Sequence, residues 1–244
     1  MNNLFLHIPH SSRYIPKIFW KNITTDKKVV KEFINDITDT GTDKLFGKNK
    51  YKKLVCDFSR VFCDVEKFDD DSKEIMSQFG MGVIYTKTNK GQNFFSFDSK
   101  YKDFVINNYY KKYHKKLDKE IGNLLKKGKT ILIDCHSFSK DIIMFEDKKD
   151  NLPDICIGYN NYNNSKLLKF VIGFLNERKY KLAENYPYDG CMTPNTIINN
   201  RPNNYYEIMF EINKELYMND EIKFKKLQQD LNLLFSQLEN IELD

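Results

Sequence analysis

Ile131-Leu132-Ile133-Asp134-Cys135-His136-Ser137-Phe138-Ser139 is the stretch from which the fold is read. A nearly continuous apolar run over 129–135 predicts a buried strand. It breaks off in Asp-x-His-Ser, so a buried strand delivers His136 to the edge of a sheet. Neutral imidazole is a good zinc ligand, and a strand end holds it as rigidly as a preorganised metal site requires. A histidine hydrogen-bonded at an ordinary strand end is the competing reading of this segment.

Outward from this run, further short apolar stretches predict strands at 3–9, 52–57, 82–86, 154–158, 180–185 and 205–212. Helical periodicity covers 25–46, 99–127, 164–178 and 219–240, the last with Leu227, Leu231, Leu234 and Leu238 at three-to-four-residue spacing. Strands alternating with helices predict an α/β domain around a mixed, mostly parallel sheet. Ligands in such sheets sit beyond the carboxyl ends of the strands, so the polar residues that close each apolar run are the candidates for chemistry.

A length of 244 residues suits one domain over 1–244, and no Gly/Ser-rich or Pro-rich linker interrupts it. With 41% hydrophobic and 14% aromatic residues the chain is expected to fold. No apolar run is long enough to span a bilayer, and the N-terminus lacks the pattern of a secretory signal, so a cytoplasmic location is expected. The five cysteines, Cys56, Cys63, Cys135, Cys156 and Cys191, show no C-x-x-C spacing and read as small buried hydrophobes. The net charge of +5 comes from 39 basic and 34 acidic residues mixed along the chain, a solvated surface with no nucleic-acid stripe.

Leu4-Phe5-Leu6-His7-Ile8-Pro9-His10-Ser11-Ser12 repeats the pattern of an apolar run ending in histidine. His7 and His10 are three apart around a proline and point differently; His10, at the loop, is the candidate ligand. Asp36, Asp39 and Asp43 lie at helical spacing among residues that are poor helix formers, with Asp39 and Asp43 on one face. One of the three would complete a His-His-carboxylate set with an open position for water. In Tyr205-Tyr206-Glu207-Ile208-Met209-Phe210-Glu211-Ile212-Asn213, two glutamates four apart share a strand face. Burying them is costly unless each is paired or functional, and Glu211, with Glu207 as the alternative, is the candidate proton shuttle. Arg60, with Asp64 and Lys67, offers a carboxylate-binding fork; an Arg60 to Asp64 ion pair is the equally weighted alternative.

These pieces resemble the N-formylglutamate amidohydrolase family, related in fold to zinc carboxypeptidases. The resemblance is carried by Pro9-His10-Ser11-Ser12 with Ile15-Pro16; Asp39-x-Gly41-Thr42-Asp43-x-Leu45-Phe46; Ser59-Arg60 with Asp64; Gly80-Met81-Gly82-Val83-Ile84-Tyr85; Tyr113-His114; Asp134-x-His136-Ser137-Phe138; Asn185-x-Pro187-Tyr188; and Glu211-Ile212-Asn213 with Leu216-Tyr217-Met218. It implies a three-layer α/β domain and hydrolysis of an N-formyl or other N-acyl amide on an acidic amino acid such as glutamate. It also implies a divalent ion, with zinc the first expectation. His10 and His136 look like the two zinc histidines of carboxypeptidases. Where that pattern has a glutamate three residues after the first histidine, this chain has Arg13, and Asp39 is taken as the substitute ligand. Arg60, Asp64, Lys67 and Tyr188 are then expected on the substrate side, Lys67 standing where many relatives carry arginine. The expected partner is a small N-acyl amino acid, with neither nucleic acid nor membrane, bound by a monomer or small homo-oligomer. The rival readings are a deacylase or peptidase acting on another N-acyl amino acid or a cell-wall fragment, and a binding protein that keeps the fold without catalysis.

Overall fold

Strand β3 (Thr130–Phe138) is buried along its whole length. In the computed structural model, which describes residues 1–47, 50–143, 151–160 and 165–243, it lies inside a six-stranded sheet. The other strands are β1 (Asn3–Ile8), β2 (Lys52–Val55), β4 (Ile155–Gly158), β5 (Leu182–Glu184) and β6 (Tyr205–Asn213). The order is β2-β1-β3-β6-β4-β5. β1, β3 and β6 run parallel, β4 is antiparallel to β6, and β5 is parallel to β4. This is the mixed, mostly parallel α/β sheet that the alternation of elements predicts. The helices are α1 (Lys27–Ile37), α2 (Thr42–Leu45), α3 (Ser99–Val105), α4 (Lys111–Leu125), α5 (Ser165–Glu177), α6 (Asn195–Ile198) and α7 (Glu221–Leu238).

The chain gathers into two compact units, the first formed by Met1–Ile8, Gly41–Leu54 and Asp118–Asp244, the second by Pro9–Thr40 and Val55–Leu117. In the first, strand alternation sorts the side chains. Leu4, Leu6 and Ile8 of β1, Ile131 and Ile133 of β3, and Ile208, Phe210 and Ile212 of β6 pack with Val171 of α5 and Leu227, Leu231, Leu234 and Leu238 of α7. Residues of the opposite parity, His7, Asp134, His136, Glu207 and Glu211, therefore share the other face. In the second unit an aromatic core forms around Phe19, whose ring stacks on Phe95 with centroids 4.3 Å apart. Phe62 meets Tyr109 edge-on there at 4.8 Å.

Four expectations are corrected. The strand read over 129–135 continues to Phe138, because β6 pairs with it as far as Asn213, so His136 lies within the strand. The apolar run 82–86 is not a strand; its backbone bonds go to isolated partners, Asp64 N donating to Val83 O and Tyr85 N to Val61 O. The helix read over 25–46 ends at Ile37 and resumes at Thr42, interrupted by Thr38-Asp39-Thr40 and by Gly41 at φ +82°. Asp39 and Asp43 thus share no helix face, since β-branched threonines and a left-handed glycine break the helix between them. The helix read over 99–127 carries a π-helical turn at Ile106–Tyr110. Residue 164, expected to open the helix at 164–178, lies outside the described residues. Among the described residues no helix is long and apolar enough to cross a membrane.

Candidate functional site

In the first unit, the polar face of the sheet centres on Asp134. Parallel pairing sets His7 beside it on β1, and the two-residue period of β3 sets His136 on the same face. His7 Nδ1 and His136 Nε2 both donate to Asp134 Oδ1, at 2.8 and 3.0 Å. The other carboxylate oxygen accepts Met192 N at 2.9 Å. Burial by itself would raise the Asp134 carboxyl, but His136 and His7 hold it well below the usual carboxylate range. With Nε2 turned to Asp134, Nδ1 is the ring nitrogen through which His136 would hold a metal ion.

On β6, Glu211 stands in register with His136 of β3 and with Cys156 of β4. The Cys156 thiol is pushed up to about 12, first by burial and then by the Glu211 charge. Glu207, four residues earlier, is fully buried and committed. It accepts from Asn160 Nδ2 at 2.8 Å, Arg201 Nη1 at 3.0 Å and Thr193 Oγ1 at 3.0 Å. These bonds tie the segment before α6 to the sheet. Tyr188 belongs to that segment; its carbonyl accepts from Cys156 Sγ at 3.2 Å and its ring meets Phe138 edge-on at 5.9 Å. Of the two glutamates, Glu207 is thus a structural anchor, and Glu211 is the one in register with a candidate ligand.

In the second unit the organiser is Asp64, fully buried. Its Oδ1 accepts His10 Nε2 at 2.9 Å and Glu66 N at 3.1 Å. Its Oδ2 accepts Arg60 Nε and Nη2 at 3.1 and 2.9 Å and Tyr85 OH at 2.7 Å. Burial opposes ionisation here too, yet Arg60 and His10 hold the carboxyl well below the usual range. Asp64, expected on the substrate side, accepts from protein donors on both of its oxygens. Arg60 forms the ion pair that was its alternative reading, and Lys67 pairs with Glu74 at 3.3 Å.

Because Nε2 of His10 is held by Asp64, Nδ1 faces the other way, toward Asp39 Oδ2 at 3.8 Å and Glu66 Oε2 at 3.7 Å. The break between α1 and α2 is what brings Asp39 there, since Asp39 N donates to His10 O at 3.0 Å. Asp39 is buried, whereas Asp36 and Asp43 are exposed. A buried imidazole with one nitrogen fixed by a carboxylate and the other turned to carboxylates suits a first-row divalent ion. Sequence reasoning did not assign Asp134, Asp64 or Glu66 to this chemistry. The first two carried a usable signal: Asp134 stands two residues before His136 on one strand face, and Asp64 stands four after Arg60.

The profile of the N-formylglutamate amidohydrolase family matches residues 2–218. A crystal structure of N-formylglutamate amidohydrolase from Ralstonia eutropha superimposes with a TM-score of 0.80 at 22% identity, covering 97% of this chain and 92% of that one. A gene product of Agrobacterium tumefaciens does so with a TM-score of 0.72 at 17% identity, covering 98% of this chain and 92% of that one. No curated protein matches the chain. A profile match over residues 2–218, most of the sequence, shows that the chain belongs to the N-formylglutamate amidohydrolase family.

Proposed function

We propose that the protein is a metal-dependent amidohydrolase that cleaves the amide bond of an N-formyl or other N-acyl acidic amino acid such as N-formylglutamate. Family membership supports an amidohydrolase acting on a small molecule. The observation that carries the metal dependence is His10, whose Nε2 is fixed by Asp64 while Nδ1 faces Asp39. In this reading His10, Asp39 and His136 hold the ion, a buried donor set of two imidazoles and one carboxylate. Zinc, when bound in such a set, lowers the pKa of a water to near 7 and polarises a carbonyl.

The chain's own residues supply the rest. Asp64 and Asp134 fix the rings of His10 and His136, so that one nitrogen of each is directed to the ion. Glu211 takes the proton of the attacking water and returns it to the departing amine nitrogen, which balances the hydrolysis: water is consumed, the C–N bond breaks, and formate and a free amine leave. Tyr188 lines the substrate side, and Arg60 and Lys67 offer positive charge to a substrate carboxylate. Both cations are paired with carboxylates in the structure, which favours as second reading a substrate whose amino acid is not acidic.

Two measurements test the proposal. Elemental analysis of protein purified without chelators is expected to find about one zinc-class ion per chain. A panel of N-formyl and N-acetyl derivatives of glutamate, glutamine and leucine is expected to show release of the free amino acid, fastest from N-formylglutamate. Absence of metal before and after reconstitution sinks the metal dependence; turnover of the neutral derivatives alone selects the second reading.

A further inference from the structure

We propose that Asn160 is a positioning residue for His136, acting through the peptide group between Cys191 and Met192; the inference rests on the metal-dependent reading above, in which His136 holds the ion. Antiparallel pairing sets Gly158 of β4 opposite Met209 of β6, so two residues on the chain brings Asn160 beside Glu207. Asn160 Nδ2 donates to Glu207 Oε1 at 2.8 Å, to Cys191 O at 2.9 Å and to Thr193 Oγ1 at 3.1 Å. Gly158 lets the segment that carries Cys191 lie directly on the strand end, since a Cβ there would collide with Gly190 O.

Covalent geometry supplies the next step. Cys191 O and Met192 N belong to one planar peptide, and this peptide is trans, so its carbonyl and its N–H point to opposite sides. Asn160 holds the carbonyl edge of the plane, and Asp134 Oδ2 holds the N–H edge at 2.9 Å. The other oxygen of Asp134 meets His136 Nε2 at 3.0 Å. A plane held at both edges gives up both bonds if it rotates, and a donor on its carbonyl strengthens its N–H as a donor. The Asp134 carboxylate is thereby kept from turning, and the His136 ring bonded to it keeps one orientation. Asparagine suits the place, because its amide nitrogen only donates and faces a carboxylate and a carbonyl together. Aspartate would set an oxygen against both.

The test titrates the whole protein with zinc alone, read by competition with a chromogenic chelator and needing no substrate. It is joined to the amide signal of Met192 in protein carrying isotope-labelled methionine, whose seven residues give a sparse spectrum. Asn160→Ala is expected to weaken zinc binding about three- to tenfold, less than the 10- to 100-fold of a group that touches a ligand directly. It is also expected to move the Met192 amide signal upfield, as an N–H that has lost part of its bond to a carboxylate does. Asn160→Gln, which keeps the amide on a longer arm, is expected to recover part of both effects, and carries the test if the alanine variant does not fold. Asn185→Ala is the control for general loosening. Asn185 Oδ1 accepts Tyr159 N at 2.9 Å and Gly190 N at 3.3 Å, so its loss slackens the same segment without removing a bond to the 191–192 peptide. It is expected to lower the melting temperature and to bind zinc as the native chain does. Native zinc affinity in the Asn160 variants, or an equal loss in Asn185→Ala, overturns the positioning role and leaves the metal-dependent reading standing. A native chain that takes up no zinc overturns both.

Discussion

At the scale of the residue, two aspartates do most of the organising. Asp64 and Asp134 each take a ring nitrogen of a candidate ligand on one oxygen and unrelated donors on the other, Arg60 and Tyr85 for Asp64 and Met192 N for Asp134. An asparagine in either place offers an amide that can donate as well as accept, so the ring is no longer obliged to present the same nitrogen. Asp134→Asn is therefore expected to lose about 10- to 100-fold in zinc affinity, measured by competition with a chromogenic chelator, with the fold retained. The glutamates of β6 separate in another way. Glu211→Gln is expected to keep fold and metal yet lose about 10² to 10⁴ in kcat on N-formylglutamate, the usual contribution of acid–base catalysis. Glu207→Gln is expected to leave kcat far less affected and to lower the melting temperature, because its side chain accepts from Asn160, Thr193 and Arg201. A reversal of the two effects moves the proton shuttle to Glu207.

At the scale of the element, β3 shows why one sequence run informs about both stability and chemistry. Its odd-numbered residues Ile131 and Ile133 join the apolar cluster with α5 and α7, while Asp134 and His136 project from the other side. The packing of α7 holds that sheet from behind. Leu231 is fully buried in it, and Leu231→Ala is expected to cost about 2–5 kcal/mol in urea unfolding, with zinc affinity unchanged while the protein is folded. Periodicity made β1, β3, β4, β6, α5 and α7 legible to within a few residues, because each has a buried stripe of uniform character. It failed over 82–86, where Val83, Ile84 and Tyr85 are all buried without a ladder. There the apolar run packs as a loop whose Tyr85 hydroxyl serves Asp64, and burial alone resembles a strand. It failed again at Thr38–Gly41. The aspartate spacing suggested a helix face, but Asp39 occupies the break and is held by the backbone of His10. Candidate histidines were legible because each closes an apolar run. Their carboxylate partners were not, since a contact such as His10 to Asp64 joins residues 54 apart, a separation on which local pattern is silent.

At the scale of the whole molecule, the proposed ion would be linked to the fold by mass action. An ion that binds the native chain and not the unfolded one stabilises it by about 2.7 kcal/mol when present at 100 times its dissociation constant. For a chain of this size that corresponds to a rise of roughly 5 to 10 °C in melting temperature. Removing zinc with a chelator is expected to lower the melting temperature by that amount, and adding it back to restore it. The cysteines give an independent reading of the same linkage. Cys56, Cys63, Cys135 and Cys156 are buried, and burial pushes the thiols of Cys56 and Cys156 up to about 12. Thiolate is the reactive form, and at pH 8 a thiol of that pKa is almost wholly protonated as well as inaccessible. Alkylation of these four buried cysteines by iodoacetamide at pH 8, read apart from that of the partly exposed Cys191, is therefore expected to proceed through opening of the chain, and to run faster in the chelated protein than in the zinc-loaded one. Equal alkylation rates and equal melting temperatures with and without zinc would show that no ion is linked to the native state, leaving His10, Asp39 and His136 without the role proposed for them.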